Sequence, residues 1–160
     1  MKKTLLFFLI LIAILMHTKG NLADANPVIE EGMNYEKERA MIEELFKERS
    51  KLWNNIYERN VETSQWIEGL KDIVVEPLLS FDAEAFKQAC EYPTDMDKVL
   101  GLKIVHIENV TYGRDTMEAK IKIHWKMDGL PSKYEEEIDY IVALKKENGK
   151  WKLSDYNVYQ

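Results

Sequence analysis

The chain has 160 residues, with 22 basic and 28 acidic side chains and a formal net charge of −6. That balance argues against nucleic acid or an anionic lipid surface as the main partner, and the length suits one domain built on one core. Cys90 is the only cysteine, so no intrachain disulfide is possible.

At the N-terminus, Lys2-Lys3 precedes an uncharged run from Thr4 to Met16. The run is short for a membrane span of about 20 residues and suits the apolar part of a signal peptide. Ala23-Asp24-Ala25 supplies small residues in an A-x-A arrangement, which predicts cleavage before Asn26. An uncleaved N-terminal anchor is the alternative, and either makes the chain exported: secreted, or extracytoplasmic and tethered through residues 1–25. The first 25 residues hold three lysines and one aspartate, so the remainder carries 19 basic and 27 acidic groups, a net charge of −8. Residues 26–33 read as an acidic linker, and the folded domain as residues 34–160.

A long amphipathic helix is predicted from about Asn34 to Asn60. Ile42, Leu45, Phe46, Leu52, Trp53 and Ile56 recur at three- and four-residue steps, while Glu43, Glu44, Lys47, Glu48 and Lys51 cover the other side. Mixed charge on the polar side makes this a core-facing stripe rather than a membrane-binding one. A second helix, about Glu62 to Val75, turns Trp66, Leu70, Ile73 and Val74 inward and ends at Pro77, which lacks a backbone donor. A third is predicted to start at Asp82 as its N-cap, with Phe86 and Ala89 inward, and to stop at Tyr92-Pro93. Cys90 reads as a small buried side chain at that helix end. Asp95-Met96-Asp97 supplies only the first two acidic positions of a calcium loop, so no metal site is expected.

Four strands follow. In the first, from Leu102 to Tyr112, Leu102, Ile104 and His106 share one phase, making His106 either a pocket-facing histidine or a satisfied core residue. From Met117 the alternation is strict: Met117, Ala119, Ile121, Ile123, Trp125 and Met127 on one face, charged residues on the other. With Gly129–Ser132 as the loop, Asp128 faces Lys133, Lys126 meets Glu135, His124 meets Glu137 and Lys122 meets Asp139. The same register pairs Met127 with Tyr134, Ile123 with Ile138, Ile121 with Tyr140 and Ala119 with Val142. A one-residue slip would carry charge into the core, so the lysine stripe reads as register and solubility. A second hairpin turns at Asn148-Gly149, pairing Lys146 with Trp151 and Leu144 with Leu153. The change of phase from Leu153 to Tyr156 requires a bulge near Ser154-Asp155, which singles out Asp155 as an acid re-aimed at a pocket or, more simply, as a solvated bulge residue.

Helices followed by a four-stranded antiparallel meander, together with the closing hairpin Leu144-Lys145-Lys146-Glu147-Asn148-Gly149-Lys150-Trp151-Lys152-Leu153-Ser154-Asp155-Tyr156, resemble the exported bacterial members of the nuclear transport factor 2-like superfamily. The resemblance implies a cone-shaped α+β fold, a curved sheet wrapped around the long helix. It also implies a cavity at the wide end, where catalytic members move protons; Asp155, His106, Tyr57 and Tyr140 are the candidates for that role here. Trp53, Trp66, Trp125, Tyr140 and Tyr156 are the candidate binding or cone-filling residues. Fold does not choose among functions. The leading expectation is a non-catalytic exported domain, without cofactor, binding a protein partner or a small apolar ligand in the bacterial cell envelope. The alternatives are a cofactor-free acid–base enzyme and an envelope subunit that dimerises through the sheet.

Overall fold

The structure, a computed structural model, describes residues 35–57, 63–91 and 97–159. The expected leader, its cleavage point, the linker and the Tyr92-Pro93 stop lie outside the described residues. Three helices, α1 (Glu36–Tyr57), α2 (Thr63–Ile73) and α3 (Leu78–Glu91), precede four strands, β1 (Lys98–Tyr112), β2 (Thr116–Asp128), β3 (Lys133–Glu147) and β4 (Lys150–Val158). The strands form one antiparallel sheet in the order β1-β2-β3-β4. With the helices packed against it around an apolar cluster, the arrangement is α+β.

The β2–β3 register is the one the alternation predicts, pair for pair from Asp128↔Lys133 to Ala119↔Val142. Met117, Ala119, Ile121, Ile123 and Met127 are buried on the inner face. On the outer face, Lys126 Nζ lies 3.1 Å from Glu135, Lys122 Nζ 3.6 Å from Asp139, and His124 3.0 Å from Glu135 and 3.6 Å from Glu137. Opposite charges placed directly across neighbouring strands favour this register. The second hairpin turns with Asn148 at φ 51° and Gly149 at φ 80°, the positive-φ pair a type I′ turn requires. In β4 the register steps from Leu144↔Leu153 to Ala143↔Asp155, so Ser154 is the extra residue of the expected bulge.

β1 begins earlier than its apolar run, at Lys98, and is broken by three register shifts. The shift between Ile104 and His106 corrects the reading of the histidine. Ile104 pairs with Ile123 and is buried, but the inserted Val105 moves His106 opposite Lys122, on the charged face, with its side chain 61% exposed. His106 is therefore neither in a pocket nor in the core; Ile107, opposite Ile121, takes the inward position.

α1 lies along the sheet with Ile42, Phe46 and Ile56 buried, and polar contacts set its position. Glu43 Oε2 accepts the Ile104 amide at 2.9 Å beside the bulge, and the Asn54 side chain exchanges two hydrogen bonds with the Val99 backbone, at 2.7 and 2.9 Å. α2 buries Trp66 and Leu70 and ends before Pro77, as its missing donor demands. Beyond the helix, Val74 bridges to Leu153, and the Val75 amide donates to Leu153 O at 2.8 Å, covering part of the β4 edge.

α3 starts at Leu78, one turn before the predicted Asp82. Glu76 takes the capping role: it accepts the Ser80 hydroxyl at 2.9 and 2.8 Å and its amide at 3.4 Å. Asp82 is thereby inside the helix and buried. Cys90 also differs from its expected burial: Phe86 and Ala89 take the inward positions, and the thiol at the last turn is exposed.

Candidate functional site

The apolar stripe of α1 contains one cation in phase with it. Arg49 falls three residues after Phe46 and four before Trp53, so the helix carries its guanidinium into the interior. There Nε donates to Asp82 Oδ2 at 2.7 Å and Nη2 to Oδ1 at 2.5 Å, a two-point pair with side chains only 8% and 4% exposed. The guanidinium carbon also lies 5.4 Å from the Tyr156 ring centroid and 5.8 Å from that of Phe86. Burial opposes the arginine's charge most strongly of any single cause, but the Asp82 carboxylate together with the Tyr156 and Tyr140 hydroxyls outweighs it, so the proton is held more firmly than in water.

Around this pair the inner face is filled by rings. Phe46 contacts Trp125 at 6.2 Å, Tyr140 at 6.3 Å and Tyr156 at 5.4 Å, and Tyr140 meets Tyr156 at 5.8 Å. On the other side of Arg49, Phe86 meets Trp53 at 5.3 Å and Trp66 at 5.5 Å. Burial pushes both Tyr140 and Tyr156 hydroxyls well above the usual phenol range.

Polar groups gather where α1 ends, β1 begins and β2 turns into β3. Trp53 Nε1 donates to Asp97 O at 3.0 Å, and the Tyr134 hydroxyl donates to Asp97 Oδ2 at 2.8 Å. Gly129 packs close: a Cβ there would stand 3.0 Å from Asp97 Oδ1 and 3.1 Å from Tyr134 Cε1. Glu136 follows on the inner phase of β3, opposite Trp125, half-buried and without a hydrogen bond or ion pair to any described residue. Burial raises its pKa, and the nearby Asp97 carboxylate adds to the shift. Burial and the Asp97 contact likewise push the Tyr134 hydroxyl up. Trp125 Nε1 is buried without a partner of ordinary geometry. Among the described residues no group of three or more His, Cys, Asp or Glu could hold a metal ion.

Of the four residues expected to share proton chemistry, the three whose side chains are described are not brought together. Tyr140 is buried among the rings, and His106 lies on the outer face. Asp155 is exposed and accepts the Asn157 side-chain amide at 3.1 Å; the bulge returns Tyr156 to the inner face rather than re-aiming the acid. The Tyr57 side chain lies outside the described residues. The five expected binding residues all face the helix–sheet interior, with Trp66 and Tyr140 buried and Trp53, Trp125 and Tyr156 partly exposed. No motif singles out Arg49 or Glu136 in the sequence; Tyr134 enters there only as the register partner of Met127, Asp97 only as an acid of an incomplete calcium loop, and Asp82 as a cap. Two of these were visible as charges on apolar phases: Arg49 in the α1 stripe and Glu136 between Tyr134 and Ile138.

No family model matches the chain, and no curated protein matches it. Among solved structures, it is similar to the Kfla4162 protein from Kribbella flavida at 15% identity, covering 78% of this chain and 91% of that chain with a TM-score of 0.49. It is similar to the intermembrane space region of the chloroplast protein ARC6 at 12% identity, over 75% of this chain and 95% of that chain, TM-score 0.45. A third similar structure is an NTF2-like protein of unknown function from Prochlorococcus marinus, at 15% identity over 49% of this chain and 62% of that chain, TM-score 0.40.

Proposed function

We propose that the chain is an exported, non-catalytic binding domain that engages a protein partner or a small apolar ligand at the end of the inner face rimmed by Trp53, Asp97, Trp125, Tyr134 and Glu136. The observation that carries this reading is the filled interior: rings pack around Arg49, and both Asp82 oxygens are occupied. That leaves the aromatic and polar rim for recognition. Export is supported by Lys2-Lys3, the uncharged run Thr4–Met16 and Ala23-Asp24-Ala25, and the bacterial envelope is the proposed setting. Native mass spectrometry of the full chain, purified gently from its own cells, tests the reading. The expected spectrum starts at Asn26 and carries a retained ligand or partner that is lost in Glu136→Lys. A bare chain for both wild type and variant refutes binding at the rim, while a mass that keeps residues 1–25 replaces secretion with tethering.

A cofactor-free acid–base enzyme is the second reading, favoured by one observation: Glu136, with no ion pair among the described residues, has its carboxyl pKa raised by burial, the kind of shift that helps a carboxylate act as a general base. Under it Glu136→Gln abolishes a turnover that the wild type shows; under the binding reading neither protein turns over any compound retained in that spectrum.

A further inference from the structure

Asp97, just before β1, is held from two sides: Trp53 Nε1 donates to its carbonyl at 3.0 Å and the Tyr134 hydroxyl to its Oδ2 at 2.8 Å. Glu136 stands two residues beyond Tyr134 on the same side of β3, opposite Trp125 of β2. It is half-buried and makes no hydrogen bond or ion pair to any described residue. The lysines close to it in the register belong to the other face. Met127 is buried on the inner side, so Asp128 and its partners Lys98 and Lys133 take the outer phase, where Lys126 also pairs with Glu135 at 3.1 Å. In the interior, Arg49 gives its Nε and Nη2 to Asp82. Two carboxylates thus lie at an aromatic, partly buried rim where no described cation pairs with either, although charges withdrawn from water ordinarily have a partner.

We propose that the rim selects an organic ammonium ion, a protonated amine on an apolar body, with its N–H groups donated to Glu136 and its apolar part laid against Trp53 and Trp125. The inference rests on the reading of the rim as the binding site and names the chemistry of the small ligand taken there. Glu136 supplies a charge-assisted acceptor, and the neighbouring rings supply apolar surface together with the attraction of aromatic faces for cations. Asp97, fixed in place by Trp53 and Tyr134, adds its negative field. Selection works by exclusion as well: an anionic ligand meets two like charges, and a neutral one withdraws Glu136 further from water without supplying a counter-charge. Burial and Asp97 disfavour the charged form of Glu136, and an ammonium beside it favours that form.

The test uses the 15N-labelled full chain and probes of similar shape, butylammonium, butan-1-ol and butyrate, each titrated at constant ionic strength while the Trp53 and Trp125 indole 1H–15N resonances are followed. Butylammonium is expected to move both resonances along a saturating curve, with butan-1-ol about tenfold weaker and butyrate without effect. Glu136→Gln keeps the side-chain shape and loses the charge; in it the apparent affinity for butylammonium falls about tenfold, the loss of one charge-assisted hydrogen bond. A response to butan-1-ol or butyrate equal to that of butylammonium, or an unchanged affinity in Glu136→Gln, overturns selection for a cation while leaving the rim a binding site. Resonances that none of the probes moves overturn the proposal together with the small-ligand reading of the rim.

Discussion

Replacing Asp82 by alanine leaves the Arg49 guanidinium in place with its two strongest partners gone. Arginine cannot shed its proton, so the charge stays in the interior with the Phe86 and Tyr156 rings, 5.8 and 5.4 Å away, as its named neighbours. With both side chains under a tenth exposed, breaking the pair from one side costs about 3–5 kcal/mol. At a urea slope of about 2 kcal/mol per M for a chain of this size, the unfolding midpoint falls by about 1.5–2.5 M. The double variant Arg49→Met with Asp82→Leu removes both charges and supplies apolar volume, and is expected to be more stable than Asp82→Ala alone. Urea unfolding followed by tryptophan fluorescence measures all of these. A midpoint shift below about 0.5 M for Asp82→Ala would mean that water reaches the guanidinium and that the burial argument fails. A double variant less stable than the single one would refute the claim that an uncompensated charge is what destabilises.

Glu136→Gln tests the rim carboxyl whose pKa burial raises. Burial and Asp97 raise its pKa in the folded chain, so its stabilising share is full below the unfolded value of about 4.3 and is lost as pH rises through the folded one. The glutamine variant should match the wild type near pH 3 and gain on it as pH rises toward 7; a wild type equally stable relative to the variant across that range contradicts the shift. Phe46→Ala removes the ring shared by Trp125, Tyr140 and Tyr156 and should cost about 3–5 kcal/mol in urea unfolding; a cost under about 1 kcal/mol would show that the rings do not form one packed unit. Gly149→Ala places a side chain at φ 80° where no steric neighbour interferes, so its cost, about 1 kcal/mol in thermal unfolding, is conformational alone.

The sheet was legible because its information is local. Period-two alternation, the Gly129–Ser132 loop and Asn148-Gly149 each depend on residues close in sequence, and together they settle which side chains face inward and which charges meet. The third helix was less legible for the same reason: Asp82 is an apt cap residue, and nothing nearby in sequence says that Glu76 has taken that position and that Arg49, 33 residues away, requires the carboxylate. His106 shows the limit of periodicity. A single inserted residue, Val105, reverses the phase, and no local feature of an apolar strand announces where a sheet will bulge.

The sequence by itself determined the α+β class, the order of helices and strands, the β2–β3 register and the bulge that returns Tyr156 to the interior, because propensity, turn chemistry and amphipathic phase are short-range properties. Only the tertiary structure decided that Arg49 and Asp82 meet beneath the aromatic rings. It alone set Asp97, Tyr134 and Glu136 at one rim, and sent His106 and Asp155 to solvent. Those outcomes depend on which charges lose water together when distant elements pack, and desolvation is a property of the assembled fold rather than of any stretch of chain.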